Sequence, residues 1–127
     1  MNALFLNNKH KLANAKFIEF NGWSMPVHYG SIIDEHNCVR NNIGLFDVSH
    51  MGNIFISGKN AEDLLAFILP ADIENMYPGK AVYTQLLNDA AGIIDDLIVY
   101  KIADDEFMLI VNAGNIKKDY DWILQHN

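Results

Sequence analysis

Cysteine, basic charge and long apolar runs are all scarce in this 127-residue sequence. The single cysteine, Cys38, excludes an internal disulfide and fits a reducing compartment such as the cytoplasm or an equivalent matrix. Sixteen acidic residues outweigh nine basic ones, giving a formal net charge of −7. Nucleic acids and anionic membranes attract basic patches, so we expect neither as a partner. No apolar run approaches the roughly 18 residues of a membrane helix.

The common catalytic motifs are also missing. The sequence has no glycine-rich phosphate loop, no CxxC and no HExxH, and its five histidines are dispersed. His36 follows Asp34 and Glu35, but an exposed helix face explains these three residues better than a metal site does. Ser49 and His50 are neighbours in a segment that reads as extended, so their side chains point to opposite faces and cannot act as nucleophile and base. We therefore predict no metal site.

Half of the residues are hydrophobic, which is enough for a compact core. The order of apolar patterns and turn signals predicts an α+β fold, a largely antiparallel sheet with helices packed on one face. The predicted strands are 16–20, 53–57, a hairpin within 81–100, and 106–112. The last helix is barely two turns long when the sequence stops, and a helix that short ordinarily leads into more protein. We therefore expect a truncated domain.

Several local signals refine this prediction. Ser31 and Asn60 are expected to cap two helices, and the last helix begins at Asn115 or Asp119. The first helix would end at Gly44, and Cys38 would be a small buried side chain on it. Residues 23–26 are predicted to form an irregular connection and residues 45–51 an extended segment.

The stretch Ala81–Tyr100 is the main basis for predicting a functional site, because it places two acids inside an apolar strand. Side chains alternate across a strand, so Asp95 and Asp96 lie on opposite faces, and at least one carboxylate points towards packed apolar surface. Burying a carboxylate without partners is unfavourable. It must be hydrogen-bonded, raised in pKa, or facing a ligand cavity. We interpret the acid near the core as facing a ligand cavity and assign this role to Asp96. Alternatively, either acid could simply stabilise the turn at 88–92.

Two tyrosines strengthen the ligand interpretation. Tyr100 lies on the same face as Asp96, four residues further on, and Tyr83 could lie opposite on the partner strand of the hairpin. One acid between two phenols would suit a flat organic ligand that carries an amine better than it would suit a phosphate or a metal.

The sequence resembles the aminomethyltransferase family, the T-protein of the glycine cleavage system. The resemblance spans nearly the whole chain after about residue 10, and FDVSHMG with GIIDDL is its most specific part. The matching segments are GWSMP at 22–26, YGSII at 29–33, GLFDVSHMG at 44–52, GKA at 79–81, GIIDDLIVY at 92–100 and VNA at 111–113. The family usually has a glycine where this sequence has Ala91, in a turn that favours a positive φ.

This resemblance implies a domain arrangement and an enzymatic activity. Residues 1–50 would be the start of the first folate-binding domain and residues 51–127 most of the second α+β domain, the remainder of the family's chain being absent. The activity would transfer the methylene carbon of an aminomethyl group from the lipoyl arm of the H-protein to tetrahydrofolate, giving 5,10-methylenetetrahydrofolate and ammonia. The fragment alone would be nearly inactive, and its unmatched apolar surface could favour a homodimer.

The resemblance also assigns residues. The family's catalytic aspartate falls on Asp96, and its folate-contacting positions fall on Met51, Tyr83, Tyr100 and Asn112. For Met51, ordinary core packing is an equal alternative. Two other functions stay open: a non-catalytic folate-binding module of the iron-sulfur assembly type, and the folate lobe of a sarcosine or dimethylglycine oxidising enzyme.

Overall fold

A computed structural model describes all 127 residues. The chain divides into two compact units, Met1–His50 and Met51–Asn127, and each unit contains one sheet. The elements of the first unit are β1 (Asn2–Ala3), α1 (Asn7–Leu12), β2 (Lys16–Phe20), β3 (Trp23–His28) and α2 (Ile32–Asn41). Those of the second are β4 (Gly52–Ser57), α3 (Ala61–Ile68), β5 (Ala81–Leu87), β6 (Ile93–Ala103), β7 (Glu106–Val111) and α4 (Ile116–Gln125).

The first sheet has the order β1-β3-β2, with β3 parallel to β1 and antiparallel to β2. The strand β3 lies where the sequence predicted an irregular connection, so that prediction is wrong. Proline usually argues against a central strand because it lacks an N–H donor. Pro26 is tolerated because β1 pairs only with Trp23 and Ser24, which leaves one edge of β3 free beside the proline.

The helix α2 begins as predicted, but it ends and packs differently. The Ser31 side chain accepts a hydrogen bond from the Asp34 backbone N–H at 3.2 Å, which confirms the cap. The helix ends at Asn41 with Asn42 as its C-cap, so Gly44 is not the cap. Cys38 is exposed, which overturns its predicted burial. No residue of α2 is buried. The hydrophobic pattern of the sequence locates the apolar stripe of this helix but does not show whether another part of the protein covers it.

The predicted extended segment 45–51 forms no strand before β4. Its polar side chains instead hold the start of α1, an element for which we had no prediction. The Ser49 hydroxyl accepts from the Phe5 N–H at 3.0 Å and the Asp47 carboxylate from the Leu6 N–H at 3.2 Å. These contacts join residues more than 40 positions apart, so no local pattern could reveal them.

The second sheet is fully antiparallel, with the order β4-β7-β6-β5. Both helices of this unit contribute to the core that covers one sheet face, which confirms the predicted α+β class. The core residues are Ile54, Ala61, Leu65, Ile68, Leu69, Ile73, Met76, Leu86, Leu97, Val99, Phe107, Leu109, Val111 and Ile123.

The start of α4 lies unusually close to β4. A Cβ atom added to Gly52 would stand 2.7 Å from side-chain atoms of both Val111 and Ile116, so only glycine permits this approach. Asn60 and Asn115 occupy the N-cap positions of α3 and α4, but neither side chain makes a capping hydrogen bond. Asn60 therefore lies at the predicted N-cap position, but its side chain does not cap the helix as predicted.

The turn between β5 and β6 accommodates Ala91 at a positive φ of 58°. A left-handed conformation costs a non-glycine residue roughly 1–2 kcal/mol. The Asn88 side chain offsets part of this cost, because its oxygen accepts from the N–H groups of Ala90 at 3.0 Å and Gly92 at 2.8 Å. The turn keeps the shape that the family's glycine would favour.

Candidate functional site

The two adjacent acids of β6 have opposite environments. Asp95 is buried, at 8% exposure, on the core side with Leu97 and Val99, whereas Asp96 is half-buried on the other side of the sheet. The acid that points into packed apolar surface is therefore Asp95. The prediction that Asp96 faces the core is therefore wrong, because side-chain alternation separates two faces of a strand without showing which face the helices cover.

Asp96 lies at the centre of a polar cluster on the face opposite the core. Its Oδ2 accepts a hydrogen bond from the Tyr83 hydroxyl at 2.9 Å, and its Oδ1 accepts one from Asn112 Nδ2 at 3.2 Å. Tyr83 pairs with Ile98 across the hairpin and Gln85 pairs with Asp96. Tyr83 is therefore a diagonal neighbour of Asp96, within reach of a long side chain.

The sheet register places the remaining predicted site residues around this cluster. Tyr100 follows Ile98 on the same face and pairs with Met108 of β7. Asn112 directly follows β7, and its amide also donates to the Asp96 backbone carbonyl at 3.0 Å. Met51 directly precedes β4, whose first residue pairs with the last residue of β7, so it lies beside Asn112. All five predicted site residues thus lie within the second unit.

The neighbouring Asp96 carboxylate changes the pKa of the exposed Tyr83 phenol. The hydrogen bond to Asp96 and the negative charge of that carboxylate raise the pKa of Tyr83 above its usual value, because both favour the neutral, donating phenol. Tyr83 is 65% exposed, so an incoming donor can take its place at Asp96 Oδ2. The cluster therefore offers a carboxylate acceptor, a phenol and a ring face to a ligand with an N–H group.

A second acidic side chain was missed by the sequence reasoning. Asp119 of α4 is completely buried and lies within hydrogen-bonding reach of Asp95. The sequence predicts Asp119 only as a possible start of the last helix. A signal was present, because Asp119 is three residues after Ile116 and four before Ile123, which places it on the apolar stripe of α4.

Three further findings concern metal ligands, membrane helices and the Ser49-His50 pair. No group of three or more His, Cys, Asp or Glu side chains is arranged to hold a metal ion. None of the four helices combines the length and apolar character needed to cross a membrane. Ser49 and His50 make separate contacts, with the Phe5 backbone and edge-on with the Trp23 ring.

The sequence identifies the family to which this chain belongs. The family model described as the GCVT N-terminal domain matches residues 6–127, and the chain therefore belongs to this family. It is 52% identical over 115 residues to an aminomethyltransferase of Staphylococcus carnosus (strain TM300), a match that covers 91% of this chain and 32% of the relative.

A solved structure gives the same result. The crystal structure of glycine cleavage system aminomethyltransferase T from Bartonella henselae matches with a TM-score of 0.93 and 40% identity, covering 98% of this chain and 35% of that one. The resemblance inferred from the sequence is confirmed. The chain spans about a third of the length of the proteins that it matches.

Proposed function

We propose that this chain is the N-terminal part of a tetrahydrofolate-dependent aminomethyltransferase of the glycine cleavage system. The reaction would take the methylene carbon of an aminomethyl group on the lipoyl arm of the H-protein and form 5,10-methylenetetrahydrofolate and ammonia. Family membership and the names of both relatives support this reading. Neither the iron-sulfur assembly module nor the sarcosine-type folate lobe has comparable support.

The observation that carries the proposal is the Asp96 cluster. A half-buried carboxylate with two side-chain donors already in place is held in a fixed orientation. Such a group can accept a hydrogen bond from a ring N–H of the reduced pterin. This hydrogen bond would orient the nucleophilic nitrogen towards the carbon that is transferred. It can also stabilise the positive charge that develops during transfer. Proton transfer to the departing amine is a second role open to it.

The neighbouring side chains fit a flat heterocycle. Tyr83 and Tyr100 would present a hydroxyl group and a ring face to the pterin. Asn112 already uses its amide hydrogens on the two acids, so its carbonyl oxygen is the part available to a ligand. Met51, half-buried directly before β4, would add an adaptable apolar contact.

The proposal extends to the organisation of the protein and its partners. Residues 1–50 would correspond to the start of the first folate-binding domain and residues 51–127 to most of the second. The lipoylated H-protein and tetrahydrofolate would be the partners, with a homodimer of this chain as a further possibility. A single cysteine fits the cytoplasm or another reducing compartment.

The decisive experiment replaces Asp96 by Asn, which keeps the shape and removes the charge. Turnover is assayed in a protein of full family length that carries these residues, and tetrahydrofolate affinity is measured by calorimetry. We expect turnover to fall by about 10²–10³-fold, as for other groups that stabilise transition-state charge. Affinity should change only a few-fold, because the amide oxygen can still accept a hydrogen bond.

Asp104→Asn is the matched control, because Asp104 is an exposed acid in the turn between β6 and β7. It should leave both quantities unchanged. Equal losses of turnover and affinity in Asp96→Asn would make Asp96 a binding residue only. Absence of any tetrahydrofolate binding by the unmodified full-length protein would refute the proposed function.

A further inference from the structure

Directly behind the Asp96 cluster, the core of the second unit contains a pair of carboxyl groups. Asp95 is 8% exposed and Asp119 is 0% exposed. Apart from the contact between the two acids, three of their four oxygens have no hydrogen-bond partner: Asp95 Oδ2 and both oxygens of Asp119. Two ionised carboxylates in such a place would be severely destabilising. The contact between them is therefore stable only if they share a proton.

The surroundings decide which acid holds the proton. Burial, together with the hydrogen bond to Asp95 and its negative charge, raises the pKa of Asp119 to about 7. Burial alone would also raise the pKa of Asp95, but hydrogen bonds from the side chains of Asp119 and Asn112 outweigh it and lower the value. Asp119 is thus the acid and Asp95 the carboxylate, a division typical of closely spaced pairs.

The other charged groups around the pair do not replace this proton. Lys118, on the same helix, lowers the pKa of Asp119 somewhat, but its ammonium group donates to the Ile94 carbonyl at 2.9 Å. Asp96 acts in the opposite sense, because its charge adds to that of Asp95. Asn112 contributes a neutral donor to Asp95 Oδ1. The pair therefore holds one proton and one negative charge between the lowered pKa of Asp95 and the pKa of Asp119, about 7.

Asn112 connects this buried pair to the proposed site. Its side-chain amide donates to Asp95 Oδ1 at 3.1 Å and to Asp96 Oδ1 at 3.2 Å. The same amide also donates to the Asp96 backbone carbonyl at 3.0 Å, so its two hydrogens are shared among three acceptors and its orientation depends on all three. An ionised Asp95 is the stronger acceptor for this amide, and the hydroxyl of protonated Asp119 holds it in place.

We propose that Asp95 and Asp119 are positioning residues that share one proton and, through Asn112, fix the orientation of the Asp96 carboxylate. The effect on ligand binding rests on the proposed function, whereas the shared proton and the alignment of Asn112 do not. Loss of the proton from Asp119 places two like charges in contact inside the core, so they separate and Asn112 loses its inner acceptor. The alignment is therefore present below about neutral pH and is lost above it.

Nuclear magnetic resonance of this 127-residue chain tests the pair without any ligand. The carboxyl carbon of Asp119 should titrate near pH 7, where the pKa of the group is placed. The side-chain NH₂ signals of Asn112 should shift with the same midpoint. In Asp119→Asn, an amide that donates to Asp95 at every pH replaces the titrating acid, so the pH-dependent shift of Asn112 should disappear. Asp121→Asn, at an exposed ion pair of the same helix, should retain the shift.

The functional arm uses tetrahydrofolate affinity of the full-length protein between pH 6 and pH 8.5. Affinity should fall by about tenfold over this range in the unmodified protein, the equivalent of roughly one lost hydrogen bond, and stay constant in Asp119→Asn. Asn112 signals that do not respond to pH, or that respond equally in Asp119→Asn, would overturn the positioning role. Asn112 signals that titrate without any tetrahydrofolate binding would uphold the pair and refute only the proposed function.

Discussion

The two units of this chain are stabilised by different means. The second unit has a core of 14 buried hydrophobic residues, whereas Leu4 is the only buried hydrophobic residue of the first. The first unit is instead held by a polar network. His10 hydrogen-bonds Tyr29 through Nδ1 at 2.6 Å and Asp47 through Nε2 at 3.0 Å, and Asp47 also accepts from the start of α1.

The helices α2 and α3 show the consequence for prediction. Both were predicted from an N-cap position, and both exist. The stripe of α3 is covered, with Leu65 fully buried, while Ile32 of α2 is 63% exposed. Hydrophobic periodicity thus indicates that a helix forms, and only the fold shows whether its stripe contributes stability.

The largest expected effect comes from the covered stripe. Leu65→Ala should destabilise the second unit by about 2–5 kcal/mol, because it leaves a cavity in the core. Denaturant unfolding can be followed unit by unit, since Trp23 and Trp122 are the two tryptophans of the chain and lie one in each unit. Leu45→Ala is the matched control in the first unit, where the side chain is 96% exposed. Similar losses in the two variants would contradict the comparison.

A smaller effect is expected from the polar network of the first unit. Burial of the Asp47 carboxyl would raise its pKa, but hydrogen bonds from Ser49, His10 and the Leu6 N–H outweigh it and hold the pKa well below its ordinary value. Asp47→Asn should cost about 1.5–3 kcal/mol at neutral pH, the usual range for hydrogen bonds to a charged group. The loss is read from Trp23 fluorescence.

The sign of the pH dependence follows from the lowered pKa of Asp47. The ionised group is favoured in the folded state, so its stabilisation is full above the unfolded value of about 3.9 and declines as the pH falls below it. Asp47→Asn should remove this part of the acid sensitivity. Asp34→Asn, at an exposed acid of α2, should retain it. An unchanged acid slope in Asp47→Asn would show that the network does not hold the first unit.

The sequence predicted the second unit far better than the first, for a physical reason. Alternating strands, the Asn88 turn and the order of elements are local signals, and the core of that unit satisfies them. The contacts of Asp47 with α1 and of Asp119 with Asp95 depend on long-range packing. For the same reason the sequence separated Asp95 from Asp96 without showing which one is buried.

The smallest expected effect lies on the uncovered stripe of α2. Ile32→Ala should change the stability of the first unit by less than about 0.5 kcal/mol, as at other exposed positions, and alanine's better helix propensity offsets part of any loss. The measurement is again Trp23 fluorescence in denaturant. A loss of about 2 kcal/mol or more, the size expected for a buried side chain, would mean that another surface covers Ile32 in solution. The contrast between α2 and α3 would then lie in the partner that covers each helix, and no longer in the stability that each stripe provides.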